Sequence, residues 1–153
     1  MENKTNNIHA SKLECKLLEF GSVNHQLSIQ LREKVLRAPL GLSFTEHDLL
    51  HEDEQIHVAG FLEGDLCAIL LLKPDGQSLK MRQVAVDPSI QGMGIGSLLV
   101  QFSERLAHTK GYTKIHLHAR DSAIPFYLNL NYILEGEGFS EVGIPHHYMY
   151  KDL

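Results

Sequence analysis

Residues 91–96 read Gln91-Gly92-Met93-Gly94-Ile95-Gly96, between an apolar strand-like run ending at Val86 and a segment of helically spaced leucines. Alternating glycines at such a junction leave successive backbone N–H groups unobstructed. The helix N-terminus adds about half a positive charge at the same spot. The chemistry this suits is the holding of an anion of pyrophosphate size. A P-loop is excluded, because its glycine must be followed by Lys-Ser/Thr and Gly96 is followed by Ser97 and Leu98. A dinucleotide fingerprint fits poorly. Five residues separate Val86 from Gly92, and the next strand delivers His118 and Arg120 before any carboxylate. A glycine turn without a ligand is the bland alternative, at a cost in backbone entropy that would go unexplained.

A second pattern follows downstream. Ala123-Ile124-Pro125-Phe126-Tyr127-Leu128-Asn129-Leu130-Asn131-Tyr132 predicts a short helix. Proline fits only its first turn, which places the start near Ile124, and asparagine tolerates the left-handed end. Together the two segments resemble the GNAT superfamily of acyl-CoA-dependent N-acyltransferases, which carry Q/R-x-x-G-x-G/A and then F/Y-Y-x-x-x-G-F. Asn131 stands where that family has glycine, and Tyr132 where it has phenylalanine. The resemblance covers residues 79–151. It implies acetyl-CoA as co-substrate, with Gln91, Gly92, Met93, Gly94, Ile95, Gly96 and Ser97 around its pyrophosphate. Val84, Ala85 and Val86 would pair their backbone with the pantetheine arm, with Phe126 alongside, and a bulge in that strand would free the groups to do so. It further implies that the Val84 N–H stabilises the oxyanion and that Tyr127 protonates the departing thiolate.

Residues 143–151, "GIPHHYMYK", resemble the closing strand of a GNAT subgroup that acetylates small amines, including anionic amino-phosphonates and amino acids. That likeness makes His146 the general base, not His147, with a water or a carboxylate such as Glu141 as the alternative. Imidazole suits the task, since an amine that is protonated at neutral pH must lose a proton before it attacks. The same likeness assigns Arg32, Arg82 and Arg120 to anion binding. Composition by itself would call each a solvated charge, and strand alternation puts Arg82 on the face of Val84 and Val86. The expected function is direct acetyl transfer to a primary or secondary amine of a small anionic acceptor. A protein or peptide acceptor and a non-catalytic acyl-CoA-binding module are the other readings; loss of Tyr127 or His146 would have marked the latter.

The elements that must position these residues read as one domain over 1–153, ragged over 1–12. A strand over 13–20 precedes a helix over 25–37 with Leu27, Leu31, Val35 and Leu36 at helical spacing. An acidic, His-rich stretch over 45–55 leads to a hairpin over 56–73 turning at Glu63-Gly64-Asp65. Pro74-Asp75-Gly76 predicts a turn before a strand over 79–86. A helix over 97–110, a strand over 113–119, the helix over 122–130 and two strands over 132–151 complete the chain. The fold class is α/β (α+β): a GNAT-like domain with a mixed, mostly antiparallel sheet of about six to seven strands and about four helices.

Fourteen Lys and Arg against 19 acidic residues give a net charge of −5, a poor start for nucleic acid or an anionic membrane. No apolar run approaches the ~20 residues of a membrane span, and the polar start Met1–Asn7 lacks a signal-peptide core, so a cytoplasmic enzyme is expected. Cys15 and Cys67 read as buried free thiols. His47, His51 and His57 with Asp48 or Asp53 lack metal-ligand spacing, so no metal is expected. His116 and His118 read as a pair on the sheet surface. A homodimer is left open.

Overall fold

The computed structural model describes residues 12–153, so the ragged start expected over 1–12 lies, Lys12 excepted, outside the described residues. Its elements run β1 (Glu14–Leu17), α1 (Val23–Leu36), β2 (Ile56–Leu62), β3 (Asp65–Asp75), β4 (Ser78–Val86), α2 (Ile95–Thr109), β5 (Lys114–Arg120), α3 (Ile124–Asn129), β6 (Ile133–Glu141) and β7 (Ile144–Asp152). The seven strands form one sheet in the order β1-β2-β3-β4-β5-β7-β6. Every neighbouring pair is antiparallel except β4 with β5, whose parallel pairing needs the crossover that α2 supplies. Beside the three α-helices, the described residues hold four short 3-10 turns, so the expected architecture is present with one α-helix fewer. None of the described helices is long and apolar enough to cross a membrane.

The sheet carries a core on each face. Toward α2 and α3, Leu70, Leu72, Leu79, Ile115, Leu117 and Met149 pack with Leu99 and Val100. Toward α1, Ile69, Leu71, Ala59, Phe61 and Ala85 pack with Leu31. β3 is covered on both sides, which is why Ala68–Leu72 read as an unbroken apolar run and are all fully buried. Each large apolar side chain so buried contributes roughly 1.5–3 kcal/mol.

Three local expectations shift. Pro74 is in β3, paired with Leu79, so the turn tightens around Gly76 (φ 60°). α2 begins two residues early, and its innermost residues are Ile95, Leu99, Val100, Ser103 and Ala107, with Phe102 and Leu106 at the flank. α1 is rotated from its leucine spacing: Leu27 is exposed, whereas His25, Ser28, Leu31 and Arg32 are buried.

Two features of β4 shape the site. Its parallel ladder to β5 runs from Ser78–Lys114 to Met81–Leu117 and then stops. Beyond Met81, β4 stays with β3 while β5 stays with β7 as far as Arg120, so the two strands diverge into a V. Within the V, Arg82 faces Leu71 and Ala85 faces Ile69, so Gln83 and Val84 together oppose Leu70. This is a β-bulge, and Gln83 takes the left-handed backbone (φ 57°) that it requires, at a cost of about 1 kcal/mol. The extra residue reverses the alternation. Arg82 and Ala85 face α1, whereas Val84 and Val86 pack against the main core, so Arg82 does not share their face as simple alternation predicted.

Candidate active site

The first cleft, about 480 Å³, opens where β4 leads into α2. The glycine loop forms one wall. Gly92 (φ 83°) and Gly94 (φ 81°) hold left-handed backbone, and a Cβ on either would meet open space. Gly94 is the N-cap of α2, so no side chain accepts from the first-turn N–H groups, and the helix end faces outward with its partial positive charge. This fits an anionic pyrophosphate. Gly96 has a different reason: a Cβ there would lie 3.4 Å from the Phe126 ring, so glycine lets α2 approach α3. Gln91 spans the loop, its Nε2 donating to the Val86 carbonyl at 2.9 Å. Val84, Val86, Gln91, Gly92, Gly94, Ile95, Gly96, Ser97 and Phe126 all line this cleft. Ala85 and Met93 do not: Ala85 is buried under α1, and Met93 packs against the main core.

The second cleft, about 140 Å³, fills the V between β4 and β5. Arg82, Gln83, His118, Arg120, Glu141 and His146 line it, and Val84, Ala123 and Tyr127 border both clefts. A group reaching along the first cleft therefore arrives at Tyr127, and a small molecule in the second meets it there. Tyr127 is 6 % exposed, and burial raises its phenol above the usual value, so it keeps its proton and can donate it.

His146 and His147 point to opposite faces of β7. The carbonyl of Ile144 lies 2.9 Å from His146 Nδ1 and can only accept, so Nδ1 carries the hydrogen and Nε2 presents its lone pair. Glu141 Oε2 is 3.7 Å from that Nε2. His147 turns away to Asp121, 2.7 Å from its Nδ1. Glu141 also meets His118 Nδ1 at 2.9 Å, so His118 belongs to the second cleft rather than to a plain sheet surface. His116 instead sits beside Asp75 and stacks on Tyr148.

The three arginines do not meet in one pocket. Arg32 is 0 % exposed and forms a bidentate pair with Glu52 at 2.9 and 2.8 Å. Arg82 borders the V, held by Gln55 Oε1 at 2.8 Å, with Glu52 Oε2 3.5 Å away. Arg120 donates to the Leu36 carbonyl at 2.9 Å and makes no ion pair among the described residues. Burial and then the charge of Arg37 disfavour its cation, so an anion entering the V would find an uncompensated partner. Arg32 is thus sequestered, and Arg82 and Arg120 are the arginines facing the cleft.

Sequence reasoning missed Glu52, Gln55, Gln83 and Arg37. Glu52 lay in an acidic stretch with no spacing to single it out, and a non-glycine bulge leaves no compositional mark. The remaining titratable candidates are inert by surroundings. Burial, and then Asp87, push the Cys67 thiol up to about 11, and burial raises Cys15 as well. His57 is buried against His25, its Nε2 donating to the Glu52 carbonyl. Among the described residues no three His, Cys, Asp or Glu side chains converge as metal ligands.

Comparison with known proteins agrees with this geometry. The profile of the acetyltransferase (GNAT) family matches residues 23–132. A Bacillus subtilis (strain 168) protein named "Putative acetyltransferase BSU40680" is 29 % identical over 113 residues, covering 74 % of this chain and 76 % of that protein. A Lactobacillus plantarum structure described as a "putative N-acetyltransferase" superposes with a TM-score of 0.81 at 23 % identity, over 92 % of this chain and 98 % of that one. The PaiA N-acetyltransferase of Thermoplasma acidophilum, solved with coenzyme A, superposes with a TM-score of 0.71 at 14 % identity, over 92 % and 99 % of the two chains.

Proposed function

The chain belongs to the acetyltransferase (GNAT) family and uses an acyl-CoA donor; from that premise we propose that it acetylates a small amine bearing an anionic group. The observation that carries the reading is the shared border of the two clefts at Val84 and Tyr127. A donor lying along the first cleft and an acceptor in the V then meet without a covalent enzyme intermediate, and holding both converts a bimolecular encounter into a positioned one.

The steps follow from the side chains. His146 Nε2 takes a proton from the acceptor ammonium, and Glu141 stabilises the imidazolium that forms. The free amine attacks the thioester carbonyl. The oxyanion accepts from the backbone N–H of Val84, beyond the point where β4 leaves β5. As the tetrahedral species collapses, the C–S bond breaks, Tyr127 gives its proton to the thiolate, and the proton shed by the attacking nitrogen restores the phenol. Arg120 supports the anionic acceptor: it is a half-buried cation that lines the V and makes no ion pair among the described residues. With Glu141 and His146 across the V, an amine near the one and an acid group near the other suit an amino-acid-like molecule.

The test is thiol release from acetyl-CoA with a panel of acidic, neutral and basic amines. Turnover concentrated on amines bearing a carboxylate or phosphonate supports the reading. Preference for polyamines or basic peptides contradicts it.

A further inference from the structure

We propose that Glu52 is the positioning residue of the V-shaped cleft, a reading that rests on the cleft's being the acceptor site. The Glu52 side chain is 1 % exposed, yet it comes from a short turn outside the sheet. His57 Nε2 on β2 donates to its backbone carbonyl at 2.7 Å and fixes where the residue stands. Its carboxylate reaches two elements: both oxygens hold Arg32 of α1, and Oε2 also lies 3.5 Å from Arg82 of β4. Arg32 Nε in turn donates to Oε1 of Gln83, the bulge residue, at 3.4 Å. One buried carboxylate therefore ties α1 to the cleft-lining arginine and to the strained backbone that precedes Val84.

A buried ion pair is a poor device for stability, because desolvation offsets most of the attraction, and an apolar trio of similar volume would hold α1 as well. What an apolar trio could not do is aim a guanidinium. Arg32 and Arg82 are like charges that would part without the anion between them, and the bulge would lose its side-chain support. The 45–55 segment thereby acquires a role in acceptor recognition that its exposed, acidic surface does not suggest. The donor cleft shares Val84 with this tie, but its anion-holding wall is the glycine loop at the start of α2, which Glu52 does not touch, so donor affinity is expected to depend little on it.

The test uses full-length Glu52→Gln with acetyl-CoA and the best acceptor of the amine panel. KM for the acceptor rises at least tenfold while KM for acetyl-CoA stays within twofold. Amide hydrogen exchange at residues 82–85 accelerates at least tenfold, while exchange in β5 and β7 is unchanged. Gln55→Ala removes the closer of Arg82's two partners and leaves Glu52 Oε2 at 3.5 Å; acceptor KM shifts the same way by at least threefold, which keeps the proposal testable should Glu52→Gln fail to fold. Unchanged exchange at 82–85, both KM values rising together, or a Gln55→Ala enzyme with wild-type acceptor KM overturns it. A wild type that prefers neutral or basic amines would refute the anionic acceptor, while the exchange measurement still decides the role of Glu52.

Discussion

Nε2 of His146 lies 3.7 Å from Oε2 of Glu141, and the other oxygen of Glu141 lies 2.9 Å from Nδ1 of His118. The carboxylate is flanked by two imidazoles at the mouth of the V. Burial pushes its pKa up, but the hydrogen bond from His118 and the nearby charges of His118, His146 and Lys80 outweigh that and hold it below the ordinary carboxylate range. Glu141 is therefore a fixed anion wherever a histidine base could work. Glu141→Gln keeps the shape and removes the charge, so the imidazolium formed on proton uptake loses its partner. The expected result is a roughly tenfold fall in kcat/KM. The acidic limb should move to lower pH, because a cation without its counter-charge forms less readily. A limb that stays in place would mean that Glu141 does not sense His146, and complete loss of activity would make Glu141 itself the base.

Ser97 separates donor binding from folding. It lies in the first turn of α2 and lines the first cleft. A carboxylate in a first helical turn is favourable by about 0.3–1 kcal/mol, whereas the same charge repels a pyrophosphate. Ser97→Glu should keep or raise Tm while acetyl-CoA affinity, measured by calorimetry, falls at least tenfold. Wild-type affinity in the folded variant would place the donor elsewhere.

Tyr127→Phe keeps the ring between the clefts and removes the hydroxyl. The expected pattern is a fall in kcat with both KM values roughly kept, as for a contact made only in the transition state. A change confined to KM would reduce Tyr127 to a wall of the cleft.

Residue types with strong backbone demands were readable from the chain. Gly92 and Gly94 take positive φ at the loop, Pro125 sits in the first turn of α3, and Asn131 (φ 69°) ends it in left-handed backbone. Apolar alternation and turn residues gave the hairpin and the late pair of strands. What stayed hidden depends on contacts between distant segments. The Gln83 bulge arises from how β4 registers on β3, and any residue can be forced into it. α1 turns Leu27 outward and Arg32 inward to Glu52, a partner 20 residues away across the fold. Three arginines aligned by family likeness looked equivalent, and only their packing distinguishes a sequestered one from two that line the cleft.

The pH dependence of kcat/KM for the wild type, His146→Ala and His147→Ala tests the account most directly. A neutral imidazole must accept the amine proton, so wild-type activity should fall on the acid side as that imidazole becomes charged. His146→Ala should cost ~100- to 10,000-fold and abolish that limb, the span expected for a lost general base. His147 points to the other face, toward Asp121, so His147→Ala should keep both rate and limb. A dead His147→Ala enzyme beside an active His146→Ala, or an intact limb in both, would contradict the assignment of the base to the V-shaped cleft.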